Sequence, residues 1–305
     1  MNDSTIKQQA QILLGATGST AEKQSWILIE DNDKITYDSR SLKTSSLIKG
    51  DAESILLKLP EKSVQTVVTS PPYWSLRDYG IDGQIGLEDS IEQYLDHLTS
   101  VFEEVRRVLK DDGTMWLNIG DSYTSGGRTW RAPDKKNPAR AMSMRPPTPE
   151  GLKSKDLIGV PWRLAFKLQQ AGWYLRSDII WNKPNCQPES VGDRPTRSHE
   201  YIFLLSKSEK YYYDVTAVKG ANGRRMRTVW DVNTQPYPGA HFATFPPNLV
   251  LPCVLSASRP NDIVLDPFLG SGTTASVAAQ HDRRFIGIEL NPEYIELATN
   301  RLNKL

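Results

Sequence analysis

The alternation of short apolar runs with amphipathic stretches constrains this 305-residue chain more than any other feature of its sequence. Residues 64–69 have the pattern of a buried strand, residues 90–109 that of a long amphipathic helix, and residues 114–119 that of the next strand. The same alternation fills residues 249–303. It predicts an α/β fold with a mostly parallel, twisted sheet and helices on both faces. In such sheets ligands bind beyond the carboxyl ends of the strands.

Two long segments interrupt this pattern. Residues 121–155 and residues 215–245 are irregular and basic, and the first is rich in Gly and Pro with almost no aliphatic side chains. Loops of this length in a compact domain usually have a function or lack fixed structure. We therefore expect residues 1–46 to form an N-terminal arm with a hairpin, and residues 47–305 to form the main domain with these two insertions.

The net charge of +1 conceals an uneven distribution. It is the difference between 37 Lys and Arg and 36 Asp and Glu. Residues 51–110 carry 6 basic and 11 acidic side chains, residues 121–155 carry 8 basic and 3 acidic, and residues 183–245 carry 9 basic and 6 acidic. The balance excludes a uniformly basic, nucleic-acid-coating surface and concentrates positive charge in the middle of the chain.

Composition also limits the cellular compartment in which we expect the protein and the classes of site that it can form. The polar N-terminus lacks the apolar core of a signal peptide, and no apolar run approaches the roughly 18 residues of a membrane span. The two cysteines allow no disulfide framework, and the four histidines have no metal-ligand spacing. We expect a soluble cytoplasmic protein that binds no metal and no membrane.

A glycine-containing turn lies between a predicted strand and a predicted helix, with the sequence DPFLGSGTT at residues 266–274. Gly270 and Gly272 permit a close approach to the backbone and expose helix N-terminal amides. Glu289, about twenty residues further on, can accept hydrogen bonds from ribose hydroxyls. The pattern lacks the dinucleotide GxGxxG spacing and the P-loop lysine, so it favours another nucleoside-containing cofactor over a purely structural turn.

A second turn follows the predicted strand at residues 64–69, with the sequence SPPYW at residues 70–74. Two consecutive prolines lose two backbone donors and fix an extended turn, which leaves carbonyl groups free to accept hydrogen bonds. A hydroxyl, a carbonyl and an aromatic ring suit a planar group that bears an amine. The alternative is a strand terminator that packs its aromatic residues in the core.

The SPPY turn resembles the motif of amino-group DNA methyltransferases that act on cytosine N4. DPFLGSGTT and the sequence FIGIELNPEY at residues 285–294 resemble their S-adenosylmethionine site. Further matches are IIWNKPN at 179–185, RPTRSHEYIFLLSK at 194–207 and HFATFPPNLV at 241–250. The catalytic motif precedes the cofactor motif, as in the circularly permuted β group. The resemblance covers residues 47–303 and implies a Rossmann-like methyltransferase fold, with 47–305 as its catalytic domain.

Carried over residue by residue, the resemblance implies an S-adenosylmethionine site and a catalytic turn. Glu289 would hold the ribose hydroxyls, Asp51 would meet the adenine amine, and Tyr73 would stack on a base flipped out of double-stranded DNA. Asn118, Asp121 and Lys183 are weaker candidates for the other edge of the base. The implied catalytic residues are Ser70, Pro71, Pro72 and Tyr73, and the cofactor residues are Asp51, Asp266, Pro267, Phe268, Gly270, Ser271, Gly272, Thr273, Thr274 and Glu289.

Basic side chains in the two insertions, and in the segment 183–194 between them, are expected to neutralise DNA phosphates or to read guanine. Those predicted to bind DNA are Arg128, Arg131, Lys135, Lys136, Arg140, Lys183, Arg194, Arg224, Arg225 and Arg227, with Arg145 as a further member. The implied role is site-specific methylation in restriction-modification or phage protection by a bacterial, archaeal or phage-encoded enzyme. A cognate restriction endonuclease would act separately.

Four alternatives stay open at the level of sequence. Adenine N6 methylation uses the same fold, although those relatives usually begin the catalytic motif with Asp or Asn. Glutamine-modifying methyltransferases place the cofactor motif first, and a non-catalytic DNA-binding protein would not need Ser70 or Tyr73. Pro252-Cys253 is similar to the nucleophilic pair of carbon-5 cytosine methyltransferases, but the surrounding apolar helical run predicts a buried structural cysteine.

Overall fold

The computed structural model describes residues 14–16, 25–30, 43–124, 130–131, 146–220, 223–235 and 245–305. Within this part of the chain, ten strands form one sheet and six helices pack against it. The strands are β1 (Leu14–Ala16), β2 (Ser25–Glu30), β3 (Ser45–Lys49), β4 (Val64–Thr69), β5 (Leu109–Ile119), β6 (Tyr174–Asn182), β7 (His199–Ser206), β8 (Val229–Asp231), β9 (Ile263–Asp266) and β10 (Arg284–Glu289). The helices are α1 (Ala52–Lys58), α2 (Ile91–Val108), α3 (Val160–Gln170), α4 (Pro247–Ala257), α5 (Thr273–Gln280) and α6 (Pro292–Leu302).

The strand order across the sheet is β1-β2-β3-β10-β9-β4-β5-β7-β6-β8. Every neighbouring pair from β2 to β5 in this order is parallel, whereas β7 runs antiparallel to both β5 and β6. Strand β8 lies parallel to β6 at the far edge. The prediction of an α/β fold with a mostly parallel sheet is confirmed.

The helices cover both faces because the central strands are apolar on both sides. In β4, Val64 and Val67 join a buried cluster with helices α1, α2 and α3, while Val68 faces the opposite cluster with α4, α5 and α6. Successive residues of a strand point to opposite faces, and every residue of β4 is buried, which is the pattern of a strand covered on both sides. Helix α2 begins with a capping box in which Ser90 and Gln93 bond to each other's backbone N–H groups.

The N-terminal strands extend the same sheet. Strand β2 pairs in parallel with β3, and β1 pairs antiparallel with β2, although both precede the predicted domain boundary at residue 47. Residues 34–38, the predicted second strand of the hairpin, lie outside the described residues. The division of the chain at residue 47 stays a prediction.

The two predicted insertions differ in how they join the sheet. The ends of the first are held together, since Thr124 N donates to Asp156 O at 2.9 Å and Ile158 N donates to Ser122 O at 2.9 Å. The second contains β8, a three-residue strand too short to leave a period in the sequence. None of the helices in the described ranges has both the length and the apolar character needed to cross a bilayer.

Two glycines of the turn between β9 and α5 offer a matched stability test. Gly270 and Gly272 both have positive φ, at 55° and 83°, but a Cβ on Gly272 would lie 2.9 Å from Ala298 Cβ in α6, whereas one on Gly270 would meet nothing within 4 Å. We expect Gly270→Ala to cost about 1–2 kcal/mol for the left-handed backbone alone. Gly272→Ala should cost about 1–3 kcal/mol more, because overpacking adds to that strain.

Urea unfolding of both variants beside the unaltered protein measures this difference. Equal losses of unfolding free energy in the two variants would show that the contact between the turn and α6 is not tight.

Candidate active site

One cavity of about 360 Å³ lies at the edge of the sheet where the parallel strands end. The turns after β3, β4, β9 and β10 form one part of its wall, and residues of β5, β6 and β7 contribute to another part, as do Thr234 and Phe245. Of the residues predicted to contact cofactor or base, those that line this cavity are Asp51, Ser70, Pro71, Pro72, Tyr73, Asn118, Lys183, Pro267, Phe268, Gly270, Ser271, Thr273 and Glu289. The structure therefore brings the SPPY turn and the glycine-containing turn into one site.

Asp266 supports the wall of this cavity. Its Oδ1 accepts hydrogen bonds from Thr69 Oγ1 at 2.7 Å and from Phe268 N at 3.1 Å, and its Oδ2 accepts from Thr274 Oγ1 at 2.8 Å. Burial raises the pKa of Asp266 to about 6, despite these bonds. The side chain is 1% exposed and joins the end of β4 to the turn after β9. Asp266, Gly272 and Thr274 were also predicted to bind the cofactor, but they do not line the cavity.

Glu289 borders the cavity at the end of β10. Its Oε2 accepts from Gly270 N at 2.7 Å and its Oε1 accepts from Asn291 N at 2.8 Å. Burial raises the pKa of Glu289 to about 7, with a smaller contribution from the charge of Asp266. The carboxylate is thus aimed by two backbone N–H groups and keeps further acceptor capacity for hydroxyl groups in the cavity.

Asp51 is fixed by the helix that follows it. It is the N-cap of α1, and its Oδ1 accepts from Ser54 N at 2.9 Å. The residue is half-buried and lines the cavity. The cap sets the direction of the carboxylate toward the same space that Glu289 borders.

The SPPY turn is held by hydrogen bonds from its neighbours. Tyr94 OH of α2 donates to the Pro72 carbonyl at 2.8 Å, and Ser75 N donates to Gly86 O at 2.8 Å. Asn118 Nδ2 of β5 donates to Ser70 Oγ at 3.2 Å. No backbone N–H within the described ranges donates to the Pro71 carbonyl. Ser70 Oγ and the Pro71 carbonyl are therefore among the acceptors that this turn can offer to a ligand.

A buried polar network surrounds Tyr73. Its hydroxyl donates to Glu200 Oε2 at 2.8 Å, and Asn118 Nδ2 lies 3.1 Å from both oxygens. Lys183 Nζ bonds Glu200 Oε1 and lies 4.1 Å from the centroid of the Trp181 ring. Burial by itself would raise the pKa of Glu200, but the Lys183 ammonium and the hydrogen bonds hold it below its usual value. Burial, with the charge of Glu200, raises the pKa of the Tyr73 phenol well above its ordinary value.

Glu200 is the site residue that sequence reasoning missed. It lies near the start of β7, in the sequence HEYIFLLS, where it is the only acidic side chain of an otherwise mainly apolar strand. A carboxylate in such a run is a detectable signal. Its position at the cavity follows only from the antiparallel direction of β7, which places the start of this strand beside the carboxyl ends of β4 and β5.

Asp121 is a structural residue. Its Oδ1 accepts from the backbone N–H groups of Ser122, Gly159 and Val160, each at 2.9 Å, and it thereby anchors the start of α3. It does not line the cavity. Asn118 and Lys183 do line the cavity, so they are better candidates than Asp121 for a contact to the base.

The predicted DNA-binding side chains occupy different surroundings. Arg194 pairs with Glu189 at 2.6 Å and lies 3.9 Å from the Tyr123 ring centroid, and Arg131 Nη1 donates to Leu76 O at 3.1 Å. Both are thus bonded within the protein. The remaining predicted members of the first insertion lie outside the described residues, namely Arg128, Lys135, Lys136, Arg140 and Arg145.

Arg224, Arg225 and Arg227 are exposed and border a second cavity, of about 440 Å³. The chain then enters β8, whose residues pair with Ile180, Trp181 and Asn182 of β6. Thr234, shortly after β8, lines the main cavity, and its N–H donates to Asn185 Oδ1 at 2.8 Å. This arginine cluster is therefore connected to the main cavity through one short strand.

Cys253 has no role in covalent chemistry. It is buried in α4, where its Sγ donates to Leu249 O at 3.4 Å, and burial raises the pKa of its thiol. A thiol in this environment is not the thiolate that covalent attack needs. Within the described residues, no group of three or more His, Cys, Asp and Glu is placed to hold a metal ion.

Comparison with known proteins agrees with this arrangement. A family model described as DNA methylase, for N6 and N4 methyltransferases, matches residues 64–300. The Type II methyltransferase M.Cfr9I of Citrobacter freundii is 65% identical over 265 residues, which are 86% of this chain and 88% of that protein. M.SmaI of Serratia marcescens is 63% identical over 268 residues, covering 86% of this chain and 92% of that protein.

Solved structures show the same fold. The PvuII DNA methyltransferase, described as cytosine-N4-specific, superposes with a TM-score of 0.65 at 23% identity, over 84% of this chain and 85% of that one. TTHA0409 of Thermus thermophilus, complexed with S-adenosyl-L-methionine, superposes with a TM-score of 0.60 at 29% identity, over 84% and 92%. Residues 64–300, which the family model matches, include the SPPY turn, the glycine-containing turn and Glu289. The chain belongs to the N4-cytosine and N6-adenine family of DNA amino-methyltransferases.

Proposed function

We propose that this protein transfers a methyl group from S-adenosyl-L-methionine to the exocyclic N4 amine of a cytosine flipped out of duplex DNA. The observation that carries the proposal is the shared cavity of the SPPY turn and the glycine-containing turn. Such a cavity could hold the target amine beside a methyl donor. Family membership and the Type II methyltransferase relatives support site-specific DNA amino-methylation by this cofactor.

The cofactor half of the cavity fits the parts of S-adenosyl-L-methionine. Glu289 offers a carboxylate to a ribose diol, Asp51 offers one to the adenine amine, and Phe268 supplies an apolar wall. Gly270 and Ser271 bring backbone close to the methionine end. When bound, S-adenosyl-L-methionine supplies a methyl group on a positively charged sulfonium.

The residues of the SPPY turn would orient the target amine. Ser70 Oγ and the Pro71 carbonyl can each accept one N–H of the cytosine amine, which directs the nitrogen lone pair out of conjugation with the ring. The Pro72 carbonyl is engaged by Tyr94 and cannot compete. This arrangement contributes mainly through proximity and alignment.

Tyr73 would stack on the face of the flipped base. Its hydroxyl is fixed by Glu200, and a Cβ on Gly120 would lie 2.7 Å from Tyr73 Cε2, so the absence of a side chain there makes room for the ring. Stacking on an aromatic ring offsets part of the cost of unstacking a base from the duplex.

Ser70 at the first position of the turn supports cytosine over adenine, as does the neighbour described as cytosine-N4-specific. The Type II relatives support a role in restriction-modification, with a separate endonuclease that the methylated sites resist. Digestion of DNA from expressing cells, followed by mass spectrometry of the nucleosides, tests the base directly. N4-methylcytosine is expected, and N6-methyladenine in its place would overturn the proposal.

Ser70→Ala removes one of the two acceptors that the turn offers to the amine. We expect the rate of the methyl-transfer step to fall by about 10²-fold, the size of effect seen when one transition-state hydrogen bond is lost, with little change in cofactor affinity. The matched control is Ser63→Ala, because Ser63 Oγ bonds Pro60 O away from the cavity. Single-turnover transfer of labelled methyl measures the effect. An unchanged rate in Ser70→Ala would remove this hydroxyl from the mechanism.

The affinity for S-adenosylhomocysteine, which carries no reactive methyl, should depend on pH through Glu289. The ionised carboxylate is the form that accepts ribose hydroxyls, and its pKa is raised to about 7. Below pH 7 the ligand can bind only if the carboxyl loses its proton, so the affinity should fall as the pH is lowered, by up to about tenfold per pH unit. Above pH 7 the affinity should no longer depend on this group. In the free protein, the same shift lowers stability as pH rises from the usual glutamate range to about 7.

Glu289→Gln should bind more weakly and lose this component of the pH dependence. Glu293→Gln, the same change on an exposed side chain of α6, should behave like the unaltered protein. Titration calorimetry from pH 5.5 to 8 measures both variants. Identical pH profiles for Glu289→Gln and the unaltered protein would contradict the assigned role.

Charge reversal of Arg224 and Arg225 should weaken binding to duplex DNA. If both neutralise phosphates, the slope of log affinity against log salt should fall by about 2 in magnitude. The control is a double reversal at Lys210 and Lys304, which are both exposed and line neither cavity. Fluorescence anisotropy over a salt series measures the slopes. If both double variants have the slope of the unaltered protein, this cluster does not contact DNA.

A further inference from the structure

Lys183 and Glu200 form an ion pair inside the cavity, beside the SPPY turn. Their side chains are 17% and 18% exposed, and both residues line the cavity. The pair meets there because β6 ends at this edge of the sheet while the antiparallel β7 begins at it. A charged pair removed from water rarely gives a net gain in stability over an apolar pair of similar volume. Its presence in a ligand cavity therefore points to a function.

Both carboxylate oxygens of Glu200 already accept hydrogen bonds. One oxygen accepts from Lys183, and the other accepts from Tyr73 OH and Asn118 Nδ2. Lys183 has three N–H donors, and within the described part of the chain its Nζ has one hydrogen-bond acceptor, Glu200. The Trp181 ring covers a second side of the ammonium. The donor capacity of Lys183 toward the cavity is unused.

The position of this donor matches the chemistry of the base. In cytosine the ring nitrogen N3, a hydrogen-bond acceptor, lies next to the carbon that bears the amine, and N1 of adenine has the same relation to its amine. A base whose amine meets Ser70 and Pro71 presents this acceptor on an adjoining edge. The hydrogen-bond chain from Ser70 Oγ through Asn118 Nδ2 to Glu200 links the amine site to Lys183.

We propose that Lys183 is a base-contacting residue that donates a hydrogen bond to the ring nitrogen beside the target amine, and that Glu200 positions it. This inference rests on the proposed function and adds a second anchor to the flipped base. The contact would fix the rotation of the ring in its plane and so aim the amine at Ser70 and Pro71. Glu200 also balances the ammonium charge beside an amine that becomes cationic as it is methylated.

A substrate lacking the ring nitrogen tests the contact atom by atom. The target cytosine is replaced by 3-deazacytosine in a duplex whose modified site has been located by sequencing. The variant Lys183→Met with Glu200→Gln removes both charges together, so no buried charge is left unpaired. The loss of kcat/KM on replacing cytosine with this analogue should be about 10- to 100-fold larger in the unaltered protein than in this double variant, the value of one hydrogen bond to a charged donor.

The preference for cytosine over 3-deazacytosine, measured as a ratio of kcat/KM values, is compared between the unaltered protein and the double variant. This comparison isolates the contact, because the altered intrinsic reactivity of the analogue is common to both enzymes. Lys183→Arg should retain a preference for cytosine over 3-deazacytosine, since it keeps the charged donor. Binding of S-adenosylhomocysteine to the double variant, measured by calorimetry, reports whether the fold and the cofactor half are intact. Equal discrimination by the unaltered protein and the double variant would overturn the proposal, as would no discrimination by the unaltered protein.

Failure of this inference is distinguishable from failure of the proposed function. If ordinary duplex yields N4-methylcytosine but Lys183 does not sense the ring nitrogen, only the base contact is wrong. If the product is N6-methyladenine, the cytosine proposal is wrong, and 1-deazaadenine at the target position then repeats the test of Lys183.

Discussion

The buried carboxylate of Asp266 is the interaction on which the geometry of the site depends. It accepts hydrogen bonds from Thr69 at the end of β4, from Thr274 in the first turn of α5, and from the backbone of Phe268. Burying a carboxylate is costly unless its oxygens are satisfied, and here three donors satisfy them. The strand that leads into the SPPY turn is thereby joined to the turn that faces the cofactor. A methyl donor and an acceptor amine can be aligned only if these two turns keep a fixed separation.

Around this link the cavity separates two kinds of electrostatic environment. The cofactor side presents carboxylates from Asp51 and Glu289, which suit hydroxyl and amine donors. The base side is more balanced, because the ammonium of Lys183 neutralises the carboxylate of Glu200. Positive charge outside the cavity lies on exposed residues such as Arg224, Arg225 and Arg227. The near-zero net charge of the chain thus reflects an acidic scaffold and locally basic segments.

Much of the fold was predictable because its central strands are buried on both faces. Residues 64–69 are rich in β-branched side chains and residues 263–265 form an apolar run, and such segments between helices leave few alternatives to a parallel sheet. The turns that follow these strands were predictable as well, since Pro71, Pro72, Gly270 and Gly272 impose local backbone geometry. Strand β8 was not predictable, because three residues carry no periodicity and its pairing with β6 depends on the rest of the sheet.

The residues of the site were likewise predictable only in part. By itself, the sequence determined the two ligand-facing turns and the family, because local backbone chemistry and motif order are written in consecutive residues. Only the tertiary structure decided that Asp266 bonds to protein groups while Glu289 borders the cavity, and that Asp121 anchors α3. It also decided that Glu200 and Lys183 meet beside Tyr73. These assignments depend on the direction of β7 and on which donors surround each carboxylate, and both arise from contacts between residues far apart in the chain.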